Sequence, residues 1–598
     1  MSAEGAPLTV ARRPPESAGP PAERIRRKRR RWALAFVLGW LAQVAVRLWL
    51  ASGQTLPVAT PDESGYLFAA RVLTGGPDAD MSYGTVYRAG YPLLLLPAFW
   101  VGDDPVTVYR GALVINALLS AALLPLAYLL LRRLDVAARP AYLFAHVTAL
   151  LPGVLFYSLF VLTDAILPVI VVGWLLVAHA WLAAPRDPAR GGASVRLALY
   201  GTGGSLLVGF AYASHSRGAI LLVVHAVVLL AGALLRRRSW RATILAGAVA
   251  GAAALGGALL NRAVIIPHLY PAGDNDLGGN LADRLTTMDG WGWTTSLATG
   301  QVWYQAVATG GVAAIGLAAA ACAVLRRDLD VPVRVLALAV LGTVAGTAVA
   351  TSAALPVEYR VGNYVYGRYL AYITPVLFMA GAAVLLRARR RTLARAVAAA
   401  AALTVLAACV VQWYAGDLLA EYTFTIYDFP ETSFLTWDWD SFHLWHATLA
   451  GLGILAAATA AALLPRRAAP VLAAVLGAVA LAMNLTAVDR IARPLVAEQT
   501  AETDLRGSVD LRGPRSIAVD WNVPWTMRLS HYYWAWWSEG TLFDSRWTPP
   551  PQDADMIVLA WPGDVPAADS WPGGAPSGWE VVDSRRTPEG NWVAWSRD

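Results

Sequence analysis

Charge is what this sequence has least of. Only 15% of its 598 residues are charged, and Lys28 is its single lysine. A soluble domain carries about 25% charge, so a single water-soluble globule is excluded. Cysteine is almost absent too. Cys322 and Cys409 both fall inside apolar runs, which excludes a disulfide-stapled exterior and leaves no thiolate metal site. The sequence contains no phosphate-binding glycine loop, zinc signature, ion-channel filter or internal repeat; Gly75-Gly76 and Gly278-Gly279 read as turns. A cleaved signal peptide is also missing. Met1–Glu23 is polar and proline-rich, Arg24–Arg31 is a basic block, and the apolar run behind it has no small-residue cleavage site. Residues 1–31 are expected to be a disordered, basic cytosolic tail.

What is present in quantity is hydrophobic length. Hydrophobic residues make up 57% of the chain, and the mean hydropathy is +0.47. Apolar windows long enough to cross a bilayer number about thirteen. They lie near 32–50, 107–131, 140–160, 162–182, 196–213, 216–235, 241–260, 303–325, 332–352, 368–386, 394–413, 443–464 and 469–487. Arginine clusters alternate between them: Arg132/Arg133, Arg186/Arg190, Arg236–Arg238, Arg326/Arg327, Arg389–Arg391 and Arg466/Arg467. With the basic tail inside, these loops are all cytoplasmic, as the positive-inside bias requires. The formal charge of +7 is therefore a matter of topology and predicts no nucleic-acid partner. The odd count places the C-terminus outside. The expected fold is an all-α polytopic membrane domain, residues 32–487, followed by a small α/β or mainly β extracytoplasmic domain, residues 488–598. That tail is rich in tryptophan. Short strands are expected at Ser516–Asp520, Met556–Trp561, Trp579–Val582 and Trp592–Trp595, with a helix at Trp525–Trp537. Some of its tryptophans must form the core of so small a domain; others are free to stack on sugars or rest on the membrane.

The loops 51–106, 261–302, 354–367 and 414–442 all fall on the outer side, and ionisable residues collect there. Asp62 and Glu63 open a helix-like rhythm (Leu67, Phe68, Ala70, Val72, Leu73), which predicts a short interfacial helix with its acids at the positive end. The segment Tyr83–Trp100 is too short to span and is expected to be a re-entrant or interfacial hairpin. Asp164 opens the fourth span, where a carboxylate is functional unless it merely caps the helix. Arg217, with His215 beside it, and Arg368 stand on the outer side against the charge bias. That favours an anionic ligand or a partner carboxylate over simple snorkelling. Two acids and two arginines on one face suit transfer from a phosphate-linked donor: a carboxylate deprotonates or orients the acceptor, and arginine stabilises the departing phosphate. A proton-coupled transporter or flippase would also use acids and arginines, but nearer the middle of its spans. A non-catalytic glycan-binding envelope protein is a third reading, resting on the tryptophan-rich tail.

At these residues, over 30–440, the chain resembles the lipid-carrier-dependent membrane glycosyltransferases of the C-type (GT-C) fold. The likeness is greatest to the branch of the protein O-mannosyltransferases and lipid A aminoarabinose transferases. The resemblance implies an inverting transfer from a polyprenyl-phosphate sugar to a cell-envelope, lipid-linked or secreted acceptor on the outer face of a bacterial plasma membrane. It implies that Asp62 is or supports the catalytic base, with Glu63 the neighbouring acid, and that Asp164 matches the family's acid at the start of the fourth span, all three being catalytic. Arg217, His215, Arg368 and Tyr369, in Arg368-Tyr369-Leu370 before Pro375, would lie by the carrier phosphate. Tyr66, Tyr87, Arg88 and His268 in the outer loops are the candidates for acceptor binding. The branch needs no metal, although Asp62, Glu63 and Asp164 could together hold a hard divalent cation through oxygen. The β-trefoil insert of eukaryotic protein mannosyltransferases is missing, and Trp437-Asp438-Trp439-Asp440 only superficially echoes the Trp-Trp-Asp motif of oligosaccharyltransferases.

Overall fold

The computed structural model describes residues 21–185, 192–465 and 467–597. Expectations for residues 1–20, Arg186, Arg190 and Arg466 lie outside them. From Pro21 the basic block is already helical and runs without a break into the first apolar segment, as Pro21–Leu50. The expected disorder therefore does not extend to residue 31, because arginine and lysine are good helix formers and nothing interrupts them.

A helix coincides with every apolar window. Among the described residues, eight helices are long and apolar enough to cross a membrane, and up to eleven when three bent pairs each count as one. The helices Gly192–Ser214 and Gly218–Leu234 coincide with the two remaining windows. The bends are what length counting did not show. Met288–Ala308 turns by 118° into Val312–Leu325 at Gly310 and Gly311, whose φ angles of 55° and 76° suit glycine. A Cβ on Gly310 would stand 2.2 Å from the Ile454 side chain. Trp291 and Trp293 thus belong to a helix and not to an outer loop, which corrects the 303–325 window. The segment Tyr83–Trp100 forms no hairpin; it contains a short helix, Gly90–Leu95, continued by a 3-10 helix, Leu96–Trp100.

The other two bends are Ala138–Ala149 with Pro152–Leu159, at 60°, and Gly362–Ala371 with Thr374–Arg387, at 75°. Irregular backbone at such depth survives only if protein groups satisfy it, and they do. Asn116 Nδ2 donates to Phe160 O at 2.7 Å, and Val161 N–H donates to Glu63 at 2.7 Å. Gln305 donates to Gly367 O at 2.5 Å and accepts from Thr374 Oγ1 at 2.6 Å. These two breaks carry Asp164 and Arg368 to the same place.

The last apolar helix continues beyond residue 487, through a π turn at Val488–Ala492 to Arg493–Thr503. Beyond it lies a five-stranded mixed sheet: β1 (Ser516–Asp520), β2 (Glu539–Phe543), β3 (Met556–Ala560), β4 (Trp579–Arg585) and β5 (Trp592–Arg597), in the order β2-β1-β3-β5-β4. β1 pairs in parallel with β2 and β3; β5 runs antiparallel to β3 and β4. The helix Trp525–Trp534 crosses from β1 to β2, so the unit is α/β. Trp534, Trp536, Trp571, Trp579, Trp592 and Trp595 are buried, whereas Trp547 is exposed. The tryptophans thus serve mainly as core. The unit also docks on the segment 51–106. Gly540 N–H donates to Asp78 O and Asp80 N–H to Gly540 O, both at 2.9 Å. Tyr533 OH donates to Thr55 O at 2.6 Å, and Arg71 Nη1 to Trp536 O at 2.9 Å.

Candidate active site

Asp62 begins the helix Asp62–Leu73, as the apolar rhythm predicted, but residues 63–72 of that helix are all buried, so it is wedged into the protein and does not lie on a surface. No side chain caps this helix. The Asp62 carboxylate turns outward instead. Its Oδ1 accepts from Tyr87 OH at 2.8 Å, and its Oδ2 pairs with Arg368 Nη1 at 2.7 Å. The side chain is 29% exposed, which leaves it reachable. Gly65 makes the Tyr87 contact feasible, because a Cβ there would sit 2.0 Å from the Tyr87 ring.

Asp164 lies in a tight turn, Thr163–Ala165, with no capping bond. Its two oxygens face the two arginines singled out in the sequence. Arg217 approaches at 3.3–3.4 Å, and Arg368 at 3.1 and 3.2 Å. The result is a continuous chain of alternating charge, Arg217–Asp164–Arg368–Asp62, ending on the Tyr87 hydroxyl. Asp164 and Arg217 are both buried, and Arg217 also donates to Arg368 O at 3.1 Å. Neither can reach a substrate as placed. They position Arg368, a correction to the direct catalytic and phosphate-binding roles expected for them. His215 Nδ1 accepts from the Arg217 backbone N–H at 3.0 Å. Burial, with Arg217, Arg368 and Arg88 nearby, holds His215 well below the usual histidine range, hence neutral.

Glu63 is the clearest departure from expectation. It is fully buried and takes four hydrogen bonds: from Val58 N–H and Ala59 N–H at 2.9 Å each, Val161 N–H at 2.7 Å and Tyr109 OH at 2.6 Å. Burial pushes its carboxyl up, against the opposing pull of these donors. A carboxylate so enclosed cannot meet an acceptor; it ties together the loop before Asp62, the helix Pro105–Ala121 and the turn before Asp164. The residues do not fit a divalent cation held by Asp62, Glu63 and Asp164, since Glu63 and Asp164 have their oxygens committed to other donors. Among the described residues no cluster of three His, Cys, Asp or Glu side chains has the placement to hold a metal.

Of the acceptor candidates, Tyr87 belongs to the cluster. Tyr66 is buried between the Tyr87 and Tyr91 rings, 5.1 Å from each, and is packing. Arg88 donates to Tyr212 O at 2.7 Å and lies over the Tyr212 ring. His268 is half exposed and pairs with Asp78 at 2.9 Å, in the contact with the sheet unit and away from the charge chain. Tyr369 is half-buried and packs edge-on to Tyr366 at 4.5 Å.

The sequence did not single out Arg360, Asp428, Tyr157 and Tyr427. Arg360 pairs with Glu358 at 2.5 Å and Asp428 at 3.4 Å and is 25% exposed. Its signal was the one that marked Arg217 and Arg368, an arginine in a loop expected from the sequence to lie outside. Burial pushes the Asp428 carboxyl up to about 6, against the pull of Arg360 and Arg368. Tyr157 lies under Arg368, 5.5 Å from its ring centre. The Tyr157 and Tyr427 hydroxyls are both buried without a hydrogen-bond partner, and their rings are 5.8 Å apart.

No protein-family model matches the sequence, and no curated protein does. Solved structures do. The crystal structure of ArnT from Cupriavidus metallidurans in the apo state superposes with a TM-score of 0.50 at 13% identity, over 94% of this chain and 97% of that one. The crystal structure of the same protein bound to undecaprenyl phosphate gives 0.49 at 14% identity, over 94% and 98%. The chain has a GT-C-like fold. The superposition spans the sheet unit as well as the membrane helices, so the GT-C-like architecture here covers more than the 30–440 of the sequence resemblance. At such low identity the likeness concerns the fold, and the chemistry has to come from the side chains above.

Proposed function

We propose that this protein is a membrane glycosyltransferase that transfers a sugar from a polyprenyl-phosphate donor to an acceptor at the outer membrane face. The observation that carries the proposal is the pairing of a reachable carboxylate, Asp62, with a buried guanidinium, Arg368, that is itself held by Asp164. Arg368 presents a planar multi-donor fork suited to a phosphate, and Asp164 and Arg217 fix its position. An incoming donor phosphate competes with Asp62 for Arg368 Nη1. Once released, Asp62 is free to take the acceptor's proton, with Tyr87 OH orienting it. The acceptor then attacks the anomeric carbon opposite the phosphate, the carbon–oxygen bond to phosphate breaks, and polyprenyl phosphate leaves with its charge stabilised by Arg368. In support stand the GT-C-like fold and the report that one ArnT structure of that fold contains undecaprenyl phosphate.

The test is a product analysis with purified full-length protein and a synthetic polyprenyl-phosphate sugar. Transfer predicts stoichiometric release of free polyprenyl phosphate as acceptor glycoside forms. Movement of intact donor across a proteoliposome without cleavage would replace the proposal with a transporter.

A further inference from the structure

A second site lies at the far end of the same helices. A cavity of about 540 Å³ opens between the helices Leu123–Arg133, Leu167–Ala183, Val312–Leu325, Val331–Ala354 and Thr374–Arg387. Its wall is almost wholly aliphatic, including Leu175, Leu176, Val340, Leu377, Ala320 and Ala380, and its mouth has Arg133, His179 and Arg387 with one acid, Asp135. The volume falls within the range of small-molecule pockets, roughly 300–1,000 Å³. The cavity is not part of the candidate active site. His179 is fifteen residues beyond Asp164 along one helical segment, about 22 Å at the helical rise. It therefore opens in the opposite leaflet, the one flanked by the arginine-rich loops.

The rim arginines already have partners of a replaceable kind. Arg133 Nη1 meets His179 Nδ1 at 2.5 Å, and Arg387 donates to Leu134 O at 2.7 Å and reaches Asp135 at 3.4 Å. All of these rim groups are at least partly exposed. An aliphatic slot of this volume with two arginines and a histidine at its rim is complementary to one kind of molecule. We propose that it binds an anionic phospholipid of the leaflet opposite the active site, with an acyl chain in the cavity and the phosphate at Arg133 and Arg387. Basic pockets between membrane helices on the cytoplasmic side are a recurrent form of anionic headgroup recognition. The inference does not depend on the glycosyltransferase reading; it requires only that the helices cross a membrane.

The test uses the full chain in nanodiscs containing phosphatidylglycerol with a photoreactive diazirine near the end of one acyl chain, and the matching phosphatidylcholine probe. Adducts are mapped by peptide mass spectrometry. The expected result is labelling on the lining segments 316–323, 336–340 or 376–384, stronger for phosphatidylglycerol. Arg133→Gln and Arg387→Gln should each lower that preference roughly five-fold. Ala380→Trp, which fills the slot, should remove the adduct. Equal labelling by both lipids in wild type means an ordinary annular lipid and overturns the proposal, as does labelling confined to other segments. Should Ala380→Trp fail to fold, the two arginine variants still decide between these outcomes.

Discussion

Breaking the Asp164–Arg217 pair has a consequence that can be worked from its geometry. Asp164 sits 3.3 Å from Arg217 and 3.1 Å from Arg368, and all three side chains are at most 7% exposed. At an effective dielectric of about 20, two unit charges this close attract by about 5 kcal/mol. Desolvation cancels much of that gain, so the measurable quantity is the penalty for orphaning one partner, about 3–5 kcal/mol. Asp164→Asn leaves Arg217 without a carboxylate, while Arg368 keeps Asp62. Arg217→Gln removes one of the two cations on Asp164 but retains a donor for Arg368 O. The double variant removes both charges and restores neutrality, so it should cost about 2–3 kcal/mol less than the sum of the singles, as expected for contacting residues. Equilibrium unfolding in mixed micelles with rising dodecyl sulfate, followed by tryptophan fluorescence, gives all four corners of the cycle. Strictly additive costs would refute the charge chain as the element that holds Arg368.

Four further outcomes follow from individual contacts. Tyr87→Phe removes the hydroxyl bound to Asp62 and should lower turnover roughly tenfold, the worth of a hydrogen bond to a charged group, with folding unchanged; Gly65→Ala should cost more in the same steady-state assay, since its Cβ displaces the Tyr87 ring. Glu63→Gln presents an amide N–H to donors that need an acceptor, and should lower unfolding stability by about 2–4 kcal/mol; retention of wild-type stability would contradict its buried role. The Asp428 carboxyl is raised by burial to about 6, against about 3.9 for an unperturbed aspartate, so the folded protein binds more protons than the unfolded chain between those values. Its contribution to stability is therefore greatest at low pH and falls as pH rises from about 4 to about 6. In unfolding midpoints measured across that window, Asp428→Asn should flatten the slope; an unchanged slope would assign it to other groups.

Much of this architecture was legible in one dimension because a bilayer imposes length and composition. Each apolar window coincides with a helix, and the strands β1, β3, β4 and β5 lie at the four segments expected from the sequence. β2 was not legible: Glu539-Gly540-Thr541 is polar, and the strand owes its place to pairing with β1 and to Ala79 across its outer edge. The bend at Gly310-Gly311 was hidden for a related reason, since hydropathy is blind to a change of direction. Within the site, Asp62 and Arg368 stood out as charges beside a membrane. What adjacency could not reveal is that Asp62 and Glu63 point in different directions, about 100° apart around a helix. Asp62 keeps an exposed edge, and Glu63 faces the packed interior.

The most direct measurement is transfer of labelled sugar by Asp62→Asn, alongside its affinity for the polyprenyl-phosphate donor, at matched concentrations of folded, purified protein. The account predicts that turnover falls by a factor on the order of 10²–10⁴. Donor binding should hold or tighten, because asparagine no longer competes with the phosphate for Arg368. Wild-type turnover in Asp62→Asn, or weakened donor binding in it, would contradict the assignment of Asp62 as the base that donor binding sets free.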